Sequence, residues 1–218
     1  ITLIKHTIPI APPILLVNLM LGQRIGQTLK IIKQRNNIIP RSTMEQEIVT
    51  KKSRGKKFVQ YVISRIQNDS AFSAALRRAD NSATEYQAWE YLVEWCEIDN
   101  RFELLPFSIV SAALARAKPG RDGNLGLGKA IAASYSESGI PGNRSDAAKA
   151  KLRRVLACTT TEEVCRIVRP LLSLVVSRGV KLDYSKLLND LLMFGEWTRK
   201  RWAVDFYGRG EIDDSDDV

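Results

Sequence analysis

The chain has 218 residues, 44% apolar and 26% charged, enough to bury a core without disulfide or metal staples. Three cysteines without a Cys-x-x-Cys pair (Cys96, Cys158, Cys165) and one distant histidine, His6, argue against a Cys/His zinc site. The net charge of +9 suggests an anionic partner, but eleven of the bases fall in 1–57 against two acids, while 58–218 carries 22 of each sign, so placement of individual arginines matters more than bulk basicity.

Residues 8–22 form an apolar run broken by three prolines, too short and too kinked to span a membrane. No acid occurs in 1–43. The segment reads as upstream translated sequence, with Met44 as the native start and 44–57 as a basic leader. The expected organisation is an N-terminal extension over 1–57, a helical domain over 58–208 and a disordered acidic tail over 209–218.

From Phe58 onward the apolar spacing is helical. Phe58, Tyr61, Val62 and Ile66 make one stripe, and Ser70 leads into Phe72, Ala75, Leu76 and Ala79. Ser82-Ala-Thr-Glu85 reads as a capping box launching Tyr86, Trp89, Leu92, Val93 and Cys96 as a core-facing stripe. A helix over 104–117 ends at Pro119-Gly120, and a short one follows from Leu127 to Ser134. Residues 145–157 carry Ala148, Leu152, Val155 and Leu156 on one face. Thr160-Thr-Thr-Glu163 is a second capping box, opening the stripe Val164, Ile167, Val168, Leu171, Leu172, Val175, with Pro170 predicting a kink. Asp183 caps a helix with Tyr184, Leu188, Leu191 and Leu192, and a last helix covers 195–207. No stretch alternates as a strand, so the expected fold is all-α: a compact bundle of about eight to nine helices without significant β-sheet.

Catalytic groups are missing from this pattern. There is no histidine after His6, no Gly-x-Ser-x-Gly and no Gly-Lys-Ser/Thr phosphate loop. Gly123-Asn-Leu-Gly126-Leu-Gly128-Lys129 lacks the strand a dinucleotide loop needs, although such a loop can offer amides to a phosphate beside Lys129. The expectation is a non-enzyme without cofactor or metal. What stands out is arginine opposite the apolar stripes: Lys151 and Arg154, with Arg153 near the border of its stripe; Arg166 and Arg169; and a cluster of Arg199, Lys200 and Arg201 beside Trp197 and Trp202. Arg77, Arg78 and Arg101 add to these. Guanidinium matches phosphate oxygens bidentately and stays charged, so the set points to nucleic-acid phosphates. Trp197 and Trp202 read as core anchors.

The order of several short motifs resembles the CasB family, the small subunit of the type I-E CRISPR Cascade complex. They are Ala75-Leu-Arg-Arg-Ala79, Leu125-Gly-Leu-Gly-Lys-Ala-Ile-Ala, Lys151-Leu-Arg-Arg-Val-Leu, Val168-Arg-Pro-Leu-Leu, Asp183-Tyr-Ser-Lys-Leu-Leu and Phe194-Gly with Arg201-Trp-Ala-Val-Asp-Phe206. The resemblance covers roughly 58–207. It implies a bacterial, cytoplasmic helical subunit, two copies of which pack head to tail against the other Cascade subunits that hold the CRISPR RNA. Its basic surface would support the RNA–DNA hybrid and the displaced DNA strand without reading sequence. Positions matching family basic sites are Lys129, Arg153, Arg154, Arg169 and Arg199, with Arg101 near another. Directly after Phe194-Gly195, where some relatives are basic, this chain has Glu196 and Trp197, and Arg199, Lys200 and Arg201 stand in their place. Arg166 joins the candidates from its helix face alone. The competing readings are a helical protein–protein interaction module and, less well matched, a small DNA-binding regulator.

Overall fold

The computed structural model describes residues 41–137 and 140–208. The reading of 209–218 as a disordered tail lies outside that range, and so does the reading of 1–43 as upstream sequence for all but residues 41–43. The chain divides into two compact units, 1–49 and 50–218; of the first, only the helical residues 41–49 are described.

Nine α-helices occur among the described residues, with no strand beyond two isolated bridges, Leu125 to Leu182 and Glu137 to Ile140. The all-α expectation is met. The first helix, α1 (Arg41–Ile66), is longer than the stripe from Phe58 suggests: Met44 and the proposed 57/58 boundary both lie inside it. Its last turns bury Phe58, Val59, Val62 and Ile66, and Phe58 meets Phe107 edge-on at 4.8 Å between ring centres.

Helix α2 (Ser70–Arg77) is capped by Asp69 rather than opened by Ser70: the Phe72 amide donates to the Asp69 carboxylate at 2.9 Å. The helix start expected at Ser82 fails. Residues 85–88 form a 3-10 turn, and only a single α-turn, α3 (Trp89–Leu92), follows. No side chain caps either element. Asn81 takes the local role instead, its Oδ1 accepting the Ala83 amide at 3.1 Å, which bends the chain before Ser82 can cap anything. In consequence Tyr86, Trp89 and Val93 stay exposed, while Leu92 and Cys96 alone of that stripe are buried.

Helix α4 (Arg101–Ala117) is the centre of the second unit, buried almost all round from Leu104 to Ala115 and packed on α2, α7 and α8. Asn100 caps it and Pro106 lies inside it. Helix α5 (Leu127–Ser134) packs on α9. Helix α6 (Asp146–Ala157) is capped by Ser145, and α7 (Thr161–Ser177) runs unbroken through Pro170. The capping box of α7 is formed as read: Glu163 donates its amide to the Thr160 hydroxyl at 3.2 Å and accepts the Thr160 amide at 3.3 Å. Helix α8 (Tyr184–Leu192) takes Asp183 as its cap, and α9 (Glu196–Tyr207) closes the bundle around Trp202 and Phe206.

Candidate nucleic-acid interface

Three of the nine candidate cations line one groove, and a fourth, Arg199, is fixed at the C-terminus of α6. Arg101 opens α4, and Arg166 and Arg169 lie one turn apart on α7. Together they line a groove of about 270 Å3 whose other walls include Asp80, Glu85, Ser108 and Glu162. Arg166 and Arg199 of α9 both lie within electrostatic reach of Cys158, which ends α6. Burial, helped by the Glu163 charge, raises the Cys158 thiol, and the two guanidiniums offset only part of that rise. The Cys158 thiol donates to the Arg154 carbonyl, and Arg199 donates through Nη1 to the Leu156 carbonyl at 3.3 Å. Cations therefore stand at the C-terminus of α6, where orphan carbonyls leave partial negative charge, and this is why Arg199 settles there.

The structure divides these cations by what already holds them. Arg153, Arg154 and Arg166 are exposed and make no ion pair among the described residues, and the same is true of Lys129 on α5. Arg101 is loosely engaged, 3.9 Å from Glu162. Arg169 donates through Nε to Asp80 at 3.0 Å, and Asp80 also accepts from Arg116 at 2.6 Å. With only 2% of its side chain exposed, Asp80 is a buried anchor between two arginines, and Arg169, about half exposed, lines the groove.

The C-terminal cluster Arg199-Lys200-Arg201 is not one surface. Lys200 is on the outside, paired with Glu196 at 2.7 Å with both side chains 72% exposed. Arg201 turns inward to Asp190, which lies in the core and also accepts the Trp202 indole N–H at 2.7 Å. Burial raises the Asp190 pKa, and the indole and Arg201 oppose that shift. Arg201 is thus a structural cation first. Of the other bases, Arg77 donates to the Ala115 carbonyl and Arg78 to Gln87.

The glycine-rich loop does not present an open phosphate cradle. Gly123 is packed on the backbone of Lys181 and Leu182, a Cβ there falling 2.3 Å from both carbonyl oxygens. The carboxylate of Asp205, paired with Lys186, lies against Gly126 at the start of α5. The amides of Gly123, Asn124 and Leu125 already donate to the carbonyls of Leu182 and Lys181. Lys129 is exposed one turn later on α5.

Reactive groups are scarce. Burial pushes the Cys96 and Cys165 thiols up to about 12, far from thiolate chemistry at neutral pH. Among the described residues no three His, Cys, Asp or Glu side chains could hold a metal ion, and no helix is long and apolar enough to cross a membrane.

The family model for CRISPR-associated protein Cse2 matches residues 73–207. Among solved structures, a chain of a CRISPR RNA-guided surveillance complex is 23% identical with a TM-score of 0.58, covering 72% of this chain and 92% of that one. At that identity the likeness concerns the fold. No curated protein matches the chain. The family match spans α2 to α9 and takes in all nine candidate cations, and by it the chain belongs to the CRISPR-associated Cse2 (CasB) family.

Proposed function

We propose that the chain is the non-catalytic small subunit of a type I-E Cascade surveillance complex in the bacterial cytoplasm, working beside other Cascade subunits and a second copy of itself. Its arginine flank would hold the sugar-phosphate chains of the crRNA–target DNA hybrid and of the displaced DNA strand. The observation that carries this reading is the convergence of Arg101, Arg166 and Arg169 on one groove, with Arg199 fixed at the C-terminus of α6 and Arg154 exposed without an ion pair among the described residues.

In such a complex base pairing supplies sequence recognition, and a protein flank needs to read only charge and shape. R-loop formation exchanges one duplex for a hybrid of similar stability. A few charge-assisted contacts to phosphate, each about 1.5–3 kcal/mol, are enough to tip that balance. Arg153, Arg154 and Arg166 are the cations best suited to the task, because no carboxylate of the fold must be released first. Arg169 serves differently: Asp80 holds its Nε, so its outer nitrogens are ordered before any phosphate arrives.

The test is target binding by the assembled complex carrying Arg154→Gln and Arg166→Gln together. Target affinity should fall, and the salt dependence of log Kd should become shallower by about two phosphate equivalents. Copurifying guide RNA should stay constant. Unchanged target affinity at physiological salt would overturn the assignment. Loss of subunit incorporation, with normal DNA binding by whatever complex remains, would favour the protein-contact module instead.

A further inference from the structure

The two tryptophans of α9 part company. Trp202 is fully buried and bonded to Asp190, whereas Trp197 is 70% exposed. One face of the Trp197 ring is covered by Arg201, whose guanidinium carbon is 4.3 Å from the ring centroid. Arg201 is itself fixed to the buried carboxylate of Asp190. The exposed indole is therefore backed by a cation that the core holds in place. An unsupported surface tryptophan would have no such partner limiting its rotamers.

Its surroundings decide what it suits. On a helix the surface neighbours of residue 197 are residues 200 and 201, which here are Lys200 and Arg201. The next exposed apolar side chain on the helix, Val204, is about 10 Å farther along the axis. Along α9, Trp197 is thus an aromatic face set among charges, with no exposed apolar side chain in the adjoining turn. An apolar protein surface would gain little from that arrangement. A flat π-system that carries its own negative charge would gain both stacking and charge attraction.

We propose that Trp197 is a stacking platform for an unpaired nucleobase, with Lys200 beside it for the adjoining phosphate. The proposal rests on the nucleic-acid reading above and narrows it to single-stranded DNA, the form in which bases are free to stack.

The experiment compares two probes on the full-length chain: a short oligodeoxythymidylate and an abasic oligomer with the same number of phosphates. Trp197→Ala should weaken oligodeoxythymidylate binding about tenfold and leave abasic binding unchanged, while Trp197→Phe should retain part of the difference. The salt slope should not move, because no phosphate contact is removed. Equal loss on both probes would overturn the platform, as would no loss on either with wild-type binding intact. If the wild-type chain and the assembled complex bound neither probe, the broader nucleic-acid reading would fall first. A Trp197→Ala chain that binds both probes normally but no longer enters the complex would make the residue a protein contact and overturn the proposal.

Discussion

Gly128 on α5 lies so close to Trp202 on α9 that a Cβ at Gly128 would be 2.2 Å from the Trp202 carbonyl oxygen. That atom is backbone in mid-helix and cannot step aside as a flexible side chain would. The glycine therefore sets the distance between the two helices, and the loop Gly126-Leu-Gly128 serves packing rather than phosphate. Gly128→Ala should lower stability by about 1–3 kcal/mol through overpacking. Gly120→Ala, where nothing lies within 4 Å of the added carbon, should be close to neutral. Urea midpoints of the two variants check the pair. Equal midpoints would show that α5 and α9 can separate without cost.

Arg201 and Lys200 are neighbours in sequence with different duties. Removing Arg201 strands the Asp190 carboxylate in the core, and breaking a buried pair from one side costs about 3–5 kcal/mol. Lys200 is a solvated partner of Glu196, and Lys200→Ala should change stability by less than about 1 kcal/mol. Thermal unfolding should show Arg201→Ala well below the wild type and Lys200→Ala beside it. Any DNA-binding loss in a triple variant of Arg199, Lys200 and Arg201 would then mix fold damage with lost contacts.

Local signals in the sequence were enough for much of the architecture. Helix α7 is legible because its capping box and its stripe from Val164 to Val175 are both contained within it. The segment after Ser82 is not, although its spacing is as good, because Asn81 competes for the backbone and turns the chain. Spacing alone then assigns Tyr86, Trp89 and Val93 to a core they never reach. In the candidate site, exposure of Arg154 and Arg166 followed from helix faces. The pairing of Arg169 with Asp80 did not, since 89 residues separate them. Trp197 and Trp202 looked alike in sequence, five positions apart on one helix, and only packing distinguishes them.

Acid should act on the fold through opposed groups. Backbone amides of Thr159 and Thr160 hold the Glu163 carboxyl below its usual range, and the Phe72 amide does the same for Asp69. A lowered folded pKa means stabilisation present above the ordinary carboxylate value and lost as pH falls through the folded one. Burial raises Asp183, so its contribution has the opposite sign, present at low pH and lost as pH rises. Glu163→Gln should therefore melt below the wild type at neutral pH and converge on it between about pH 5 and about pH 3. For Asp183→Asn, the wild type should gain on the variant as the pH falls. Tm measured across that range decides both, and parallel curves would show that these caps do not titrate with folding.

Asp80 offers the sharpest separation of order from charge. Its carboxylate ties the residues after α2 to Arg116 at the end of α4 and to Arg169 in the middle of α7. Asp80→Asn keeps the shape and removes the charge. The two arginines are one-third and one-half exposed, so water can take over part of their solvation, and the expected cost is about 1–3 kcal/mol rather than that of a fully buried pair. The variant also raises the net charge by one and frees Arg169 to move. If charge alone governed phosphate contact, target binding by the assembled complex would tighten. If Asp80 matters because it orders Arg169 toward the groove, affinity should fall severalfold despite the added positive charge, and Arg169→Ala should leave little further for Asp80→Asn to remove. Target affinities of the single and double variants distinguish these outcomes, because residues acting as one unit give non-additive losses. Additive effects would show that Arg169 and Asp80 act independently and that the groove is not built by their contact.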